Sequence, residues 1–425
     1  MRVKVVRLYQ AGRDAAHRER DRALVRAGVE VTLVVPSTWP SGGAEAELSN
    51  EPFRVVELAV TRPGDVNRHR LTHPEQLLDL VAATRPHVVD LHQEPFSSVV
   101  HQVLRRLPVQ QTTVAYTAQN LDKRFPPPFA QWERHALGRL HWLYPCSHQA
   151  ASVAVGKGFA GGVTVLPLAP SADIARGAQL PPGDALRLLL VGRLVPEKGV
   201  LDAVEVLAVQ GRGATLTLVG SGPEGARAKA RATELGVAAA LTVLPWLGSR
   251  ELALEYGRAH VLLAPSRSTA TWVEQFGRMV VEAHAAGAVV VGYRSGALSE
   301  VVGSAGVLVH EGDTAALGTA VAALRTVPGW WDMLRSRGFE AAEQGTWNAV
   351  AARQLEMYAA ALDRPRAVGP IRPARALARR RHGAPATAAG VERPFALPLL
   401  RDGVPGTGLL ARLLDATAHR ERPMP

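Results

Sequence analysis

The chain is nearly devoid of cysteine: Cys146 is the single thiol in 425 residues. One thiol excludes an internal disulfide framework and a cysteine-built zinc site, and it fits a reducing compartment. Lysine is almost as scarce, with 5 against 44 arginines. A surface evolved to hold a polyanion would more often use both, so this skew, alongside abundant Ala, Gly and Val, reads as a general compositional bias. No apolar run reaches the roughly 18 residues that a membrane-spanning helix requires. The opening stretch MRVKVVRLYQAGRD is charged too often to serve as the apolar region of a signal peptide. A Walker sequence and an HExxH motif are both missing. The segment Gly156-Lys-Gly158 lacks the Ser/Thr and the first glycine spacing of a P-loop.

What remains is ordinary for a globular protein: 47% apolar and 20% charged residues. The length suggests two or three domains. The net charge of +11 and the sequence pI near 10.4 raise the question of an anionic partner. The charge is unevenly placed. Residues 364–425 carry 12 Arg against Glu392, Asp402, Asp415 and Glu421, a net of +8, so residues 1–363 carry only +3. This gives no support for a nucleic-acid surface on the body of the chain, and no nucleic-acid partner is expected. The final segment also holds nine of the 30 prolines. It reads as a mostly disordered basic tail with a short helical turn at Gly408–Ala416. Its densest part, Arg364–Arg381, has seven Arg and no acid, and is a candidate for peripheral contact with an anionic membrane.

Ahead of the tail, short apolar strands alternate with helical segments in two successive series. The first has strands at Val3–Leu8, Val29–Val35, Val55–Val60, His87–Leu91, Thr113–Thr117, Leu143–Pro145 and Val163–Leu166. A charged helix is expected over Arg13–Ala27, closed by Gly28. The second series has strands at Leu186–Val191, Thr215–Val219, Leu241–Leu244, Val261–Ala264 and Val289–Gly292. Its helices are expected at Lys198–Gln210, Glu224–Leu235, Leu252–Arg258 and Arg278–Ala286, and a last one spans about Trp347 to Leu362. Alternation of this kind predicts an α/β fold of two doubly wound parallel-sheet domains. The expected divisions are 1–170, 171–345, a returning helix at 346–363 and the tail at 364–425. Ligands in such sheets bind outside the carboxyl ends of the strands.

Three motifs fall at those ends. Gly220-Ser-Gly-Pro-Glu-Gly225 has the G-x-G-x-x-G form but follows the second strand of its series. The next strand ends at Leu244-Pro245-Trp246, without the acid that a dinucleotide ribose needs. It reads as a tight strand-to-helix turn. Gly192-Arg-Leu-Val-Pro-Glu-Lys-Gly199 places Arg193 and Lys198 at a strand end, where a guanidinium fork and an ammonium together suit a diphosphate. Trp272-Val-Glu-Gln-Phe-Gly-Arg-Met-Val-Val-Glu282 holds Glu274 and Glu282. On one continuous helix these would lie about 12 Å apart, too far for a glycosidase pair. Gly277 predicts a break, with Glu274 in the preceding loop and Glu282 in the early helix. The helix-start N–H groups around Phe276–Arg278 suit a phosphate.

In order and spacing, GRLVPEKG at 192–199, LVGSGPEG at 218–225, APS at 264–266, EQFGRMVVEAHAAG at 274–287 and SGALSEVVG at 295–303 resemble the GT-B glycosyltransferases of family 4. A weaker likeness covers LVRAGVEVTLVVP at 24–36, HVVDLHQEP at 87–95 and PCS at 145–147. The resemblance implies a retaining transfer of a hexose from a nucleoside diphosphate sugar to a hydroxyl of a glycan, lipid-linked or small-molecule acceptor. It implies no metal or other cofactor, a site in a cleft between the domains, and a cytoplasmic enzyme, peripheral on the inner membrane face if the tail binds lipid. Arg193 and Lys198 match the pair that neutralises the diphosphate. Glu274 matches the acid touching the transferred sugar, and Glu282 the acid holding the ribose. Phe276, Gly277 and Gly220 match donor-side backbone positions.

Two departures stand out. The family's glycine pair after the first strand is reduced to Gly12. Its histidine near the sugar is replaced within Thr117-Ala-Gln119-Asn120. Gln119, Asn120, His92 and Glu94 become the candidate sugar or acceptor contacts. A GT-B phosphorylase or epimerase, or a non-catalytic sugar-nucleotide-binding protein, would use the same residues.

Overall fold

A computed structural model describes residues 2–40, 48–179 and 181–364. The expected basic run Arg364–Arg381, apart from Arg364 itself, and the turn at Gly408–Ala416 lie outside the described residues. The chain forms two compact units, one made of residues up to Leu168 and the segment resuming at Thr346, the other of Ala169–Gly345. Among the described residues no helix is long and apolar enough to cross a membrane.

The first unit has a seven-stranded parallel sheet. Across it run Arg54–Leu58, Glu30–Pro36, Lys4–Leu8, Val88–Leu91, Thr112–Thr117, Trp142–Pro145 and Gly162–Val163. The second unit has six parallel strands in the order Leu241–Leu244, Ala214–Val219, Leu186–Val191, Val261–Ala264, Val289–Tyr293, Gly306–Val309. Both sheets reverse direction of winding beside their first strand. The crevice this creates lies outside Leu8 and Leu91 in one unit, and outside Val191 and Ala264 in the other. The fold class is the doubly wound α/β arrangement expected from the sequence.

Burial follows strand position. Val88–Leu91, Val261–Ala264 and Val289–Tyr293 are buried at every residue, as central strands covered on both faces must be. Within Leu186–Val191, Leu188 and Leu190 pack on one face with Leu216 and Leu218, while Leu189 and Val191 pack on the other with Val219 and Leu262. This is the two-residue alternation of a strand. Each such leucine contributes about 1.5–3 kcal/mol on burial.

The helix Trp347–Asp363 belongs to the first unit, although its sequence follows the second. Thr346 caps it by accepting from the Ala349 N–H at 3.3 Å. It packs on helix Glu19–Arg26, where the Trp347 indole donates to Glu19 at 3.0 Å and Arg26 donates to Asn348 at 3.0 Å. Gln354 and Tyr358 reach further in and both donate to Asp90, at 3.1 and 2.5 Å.

Several boundaries differ from the sequence reading. The helix expected from Arg13 starts only at Glu19, because two short 3-10 turns, Gln10–Arg13 and Ala15–His17, come first. The strand expected over Val163–Leu166 is confined to Gly162–Val163. The helix expected from Lys198 begins at Val200, since Gly199 takes a left-handed conformation (φ 62°). The run Val55–Val60 divides into strand Arg54–Leu58 and an antiparallel hairpin of Val60–Thr61 with Arg70–Leu71. The edge strand Gly306–Val309 went unpredicted, since it opens on glycine and its apolar run Val307-Leu308-Val309 is only three residues long.

Candidate active site

In the second unit the candidate residues converge on the crevice between strands Leu186–Val191 and Val261–Ala264. Lys198 ends the 3-10 turn Pro196–Lys198, and its ammonium donates to Glu274 Oε2 at 2.5 Å. The same carboxylate oxygen accepts from Ser266 Oγ at 2.9 Å. The Lys198 ammonium also lies 5.2 Å from the centre of the Trp272 ring, a cation–π contact. Glu274 is only 6% exposed, so its charge depends on these partners. Arg193, on the same loop, is exposed and forms no ion pair among the described residues.

Close backbone approach holds this arrangement. A Cβ on Gly199 would strike the Pro265 carbonyl, and one on Gly296 (φ 52°) would strike the Glu274 carbonyl. That carbonyl accepts from the Ala297 N–H at 2.9 Å. Gly220 sits against the Gly192 carbonyl and Gly222 against the Leu194 carbonyl. The Leu194 N–H donates to Ser221 and the Glu224 N–H to Leu194, both at 2.9 Å. The glycine spacing at 220–225 therefore serves to seat one turn on the backbone of the loop carrying Arg193 and Lys198.

Gly277, at φ 85°, precedes helix Arg278–Ala286 and has no side chain to cap its first N–H groups. Phe276 is buried beside it. Glu274 thus lies in the loop and Glu282 in the second turn of the helix. Glu282 accepts from Tyr256 Oη at 2.9 Å and pairs with Arg278 at 2.9 Å. Burial, followed by the Glu282 charge, holds the Tyr256 hydroxyl well above its ordinary pKa, so it stays a donor. Ser266 and Tyr256 were not singled out in the sequence as partners of these acids. The APS motif marked the neighbourhood of Ser266, whereas Tyr256 lies on helix Ser249–Arg258 with no local signal.

The first-unit candidates gather at the equivalent crevice. Gly12 is buried in the turn after the first strand, where a Cβ would lie 3.1 Å from Tyr9 and 3.2 Å from Leu33. The neighbouring Gln10 is hydrogen-bonded to Gln93. His92 is enclosed by Tyr9 and Tyr116, each with its ring centre 4.3 Å away, and its Nδ1 is 3.0 Å from Tyr144 Oη. Burial, with Arg7, Arg20 and His17 adding to it, holds His92 well below its usual pKa and neutral. Glu94 turns the other way. It accepts from Thr117 Oγ1 at 2.7 Å and from the Ala118 N–H at 2.8 Å, which fixes the segment bearing Gln119 and Asn120. Burial pushes the Glu94 carboxyl up to about 7. Gln119 donates to the Leu121 carbonyl at 3.2 Å and Asn120 to Gln149 at 3.3 Å.

Residues 172–329 match the family described as Glycosyl transferases group 1. D-inositol 3-phosphate glycosyltransferase 2 of Catenulispora acidiphila is 32% identical over 203 residues, which are 44% of this chain and 46% of that protein. The D-inositol 3-phosphate glycosyltransferase of Acidothermus cellulolyticus is 36% identical over 157 residues, 34% of each chain. The chain thus spans less than half the length of these curated relatives. Among solved structures, sucrose-phosphate synthase from Thermosynechococcus elongatus superimposes with a TM-score of 0.68 at 20% identity, over 84% of this chain and 99% of that one. Anabaena Alr3699/HepE in complex with UDP-glucose gives 0.64 at 15% identity, over 84% and 99%. At such identities the likeness concerns the fold. Residues 172–329 form a group 1 glycosyl transferase domain, and the chain has the fold of the GT-B glycosyltransferases.

Proposed function

We propose that the protein transfers a hexose from a nucleoside diphosphate sugar to an acceptor hydroxyl, with retention at the anomeric carbon. The observation that carries this reading is the Lys198–Glu274–Ser266 cluster, set on glycine-packed loops at the winding reversal of the second unit. Arg193 offers a fork to the diphosphate and Lys198 a point charge. The uncapped helix start after Gly277 adds N–H donors. A diphosphate would draw Lys198 away from Glu274 and leave that carboxylate for the sugar hydroxyls. Glu282, oriented by Tyr256 and Arg278, would accept from the ribose. As the bond to the sugar breaks, charge grows on the leaving phosphate, and fixed cations nearby stabilise it. The leaving phosphate would help take the proton from an acceptor hydroxyl attacking the same face of the sugar. The UDP-glucose complex of the Anabaena neighbour makes a uridine donor the first to try. Glu94, Gln119 and Asn120 would contact the sugar or the acceptor, and the Arg-rich residues 364–381 would hold the enzyme at an anionic membrane.

The test is a thermal-shift panel of UDP-, GDP- and ADP-sugars, followed by turnover with the donor that raises the midpoint. Transfer of the sugar to a hydroxyl with retained configuration supports the reading. Phosphate-dependent sugar release, epimerised donor, or binding without turnover would each replace it.

A further inference from the structure

His92 directly follows strand Val88–Leu91 at the crevice of the first unit, and its backbone N–H donates to the Leu8 carbonyl at 3.0 Å. Its ring is clasped between two tyrosines. Tyr9 meets it at an interplanar angle of 78° and Tyr116 at 31°, each with its ring centre 4.3 Å away. Nδ1 lies 3.0 Å from Tyr144 Oη, on the inner side. The other ring nitrogen, Nε2, makes no hydrogen bond among the described residues and is open to solvent. The residue as a whole is only 8% exposed, so the ring shows little more than one edge.

The tautomer of this ring follows from a chain of obligate donors. Arg7 donates to Asp90 at 3.2 Å, and the same carboxylate accepts from Gln354 at 3.1 Å and from Tyr358 Oη at 2.5 Å. A carboxylate ringed in this way offers only lone pairs, so Tyr144, which is hydrogen-bonded to Asp90 Oδ1, places its one hydrogen there. Burial, followed by the Asp90 charge, holds the Tyr144 hydroxyl well above its ordinary pKa, so that hydrogen stays in place. Tyr144 Oη can then only accept from His92, which puts the ring hydrogen on Nδ1. A charged ring would carry hydrogen on both nitrogens, but burial, followed by Arg7, Arg20 and His17, keeps His92 neutral. Nε2 is left as a bare lone pair at the open edge.

We propose that His92 Nε2 is a fixed hydrogen-bond acceptor for a neutral hydroxyl of the acceptor substrate, with Tyr144 and Asp90 as positioning residues that hold its tautomer. The diphosphate and ribose contacts of the proposed donor all fall in the second unit, so the hydroxyl met here is assigned to the acceptor. Polarity provides the selection. A sugar or polyol hydroxyl can donate to the lone pair, whereas a phosphate or carboxylate oxygen brings a lone pair of its own and no hydrogen. Any anionic part of the acceptor is therefore turned away from this edge. The tyrosine clasp sets the direction of the bond in advance, so little ordering is left to binding. The identity of the ligand rests on the transfer reading, and the tautomer does not.

The tautomer is read by nitrogen-15 NMR of the full chain labelled at histidine, with His92→Asn identifying the His92 signals. The parent should show hydrogen on Nδ1 and a pyridine-type Nε2. An Nε2–H ring overturns the inference, whatever becomes of the transfer reading. Tyr144→Phe should move the hydrogen to Nε2, because Nδ1 then has nothing to donate to; an unmoved hydrogen overturns the role of Tyr144. Glucose, added as a hydroxyl probe, should shift the Nε2 signal, and inorganic phosphate should not. A silent signal with glucose, or a shift with phosphate alone, overturns the contact. Kinetics with the identified donor and acceptor test it again. His92→Asn keeps an amide near the place of Nδ1 and leaves nothing at Nε2, so the acceptor KM should rise roughly 3- to 10-fold with kcat nearly unchanged. His92→Gln, whose amide oxygen reaches toward the Nε2 position, should recover part of that loss. A normal KM in His92→Asn, or a Gln variant no better than the Asn one, counts against the contact. A parent that transfers no sugar while glucose still shifts its Nε2 signal overturns the transfer reading alone.

Discussion

The two units share a winding pattern but place their charges differently. In the second unit, the ion pair Lys198–Glu274 sits at the carboxyl edge of the sheet, where the proposed reading has each partner exchanged for a ligand group. In the first unit, the ions lie inside. Arg7, the next-to-last residue of the first strand, donates to Asp21 at 2.7 and 2.9 Å and to Asp90 at 3.2 Å, and all three are fully buried. Asp90 also accepts from Tyr144, Gln354 and Tyr358, and Tyr144 in turn lies against His92. Burial raises Asp21 even against the Arg7 charge, and holds Tyr144 and Tyr358 well above their ordinary range. One crevice is therefore backed by a fixed polar network that ties in the last helix. The other is lined by an ion pair at the sheet edge, the proposed donor site. Substitutions should separate the two: stability in the first, turnover in the second.

The largest effect is expected for Asp90→Ala. It leaves Arg7 with half its neutralisation and strands three donors, so urea unfolding should show a loss of about 3–5 kcal/mol. An unchanged midpoint would show that this network is not structural. Ser266→Ala should do the opposite. Removing this hydrogen bond from the Glu274 carboxylate should lower kcat/KM by about 10- to 100-fold and cost less in unfolding than Asp90→Ala, because Lys198 still neutralises the carboxylate. Tyr358→Phe, which removes a single hydroxyl from Asp90, should cost about 1–3 kcal/mol of stability with little change in kcat.

The smallest contrast is one of pH. Glu94 has a folded pKa of about 7 against an ordinary 4.5. The folded state therefore holds the extra proton between those values. Stability of the first unit should fall as pH rises from 4.5 to 7, and Glu94→Gln should flatten that slope. Equal slopes in urea titrations of the two proteins would remove Glu94 as the source.

Legibility in the sequence follows the same division. Lys198, Glu274, Gly277 and Glu282 could be placed because glycines and a proline punctuate their loops, and a strand-to-helix turn needs those residues locally. Their partners could not. Ser266 and Tyr256 meet Glu274 and Glu282 only through tertiary packing, from a different strand end and a different helix. The internal network of the first unit was hidden for the same reason. Arg7 interrupts the apolar run Val3–Leu8, and that interruption was its one available signal. Its partners lie 14 and 83 residues away, and Tyr358 comes from the far side of the second unit's sequence. Edge strands and helix starts were the least legible elements of the fold, since Gly306–Val309 is only half covered and the turns at Gln10–His17 are too short to carry a helical period.

The central claim is that the Lys198–Glu274 pair is an exchangeable donor site and not a structural ion pair. It is tested most directly by purifying Lys198→Ala and Glu274→Ala and measuring transfer from the identified sugar nucleotide alongside thermal unfolding. Both variants should lose about 100- to 1,000-fold in kcat and still fold, with Lys198→Ala lowering the unfolding midpoint the more because it leaves the buried Glu274 carboxylate without its cation. Near-normal turnover in either variant, or lost turnover accompanied by a collapsed midpoint, would contradict it.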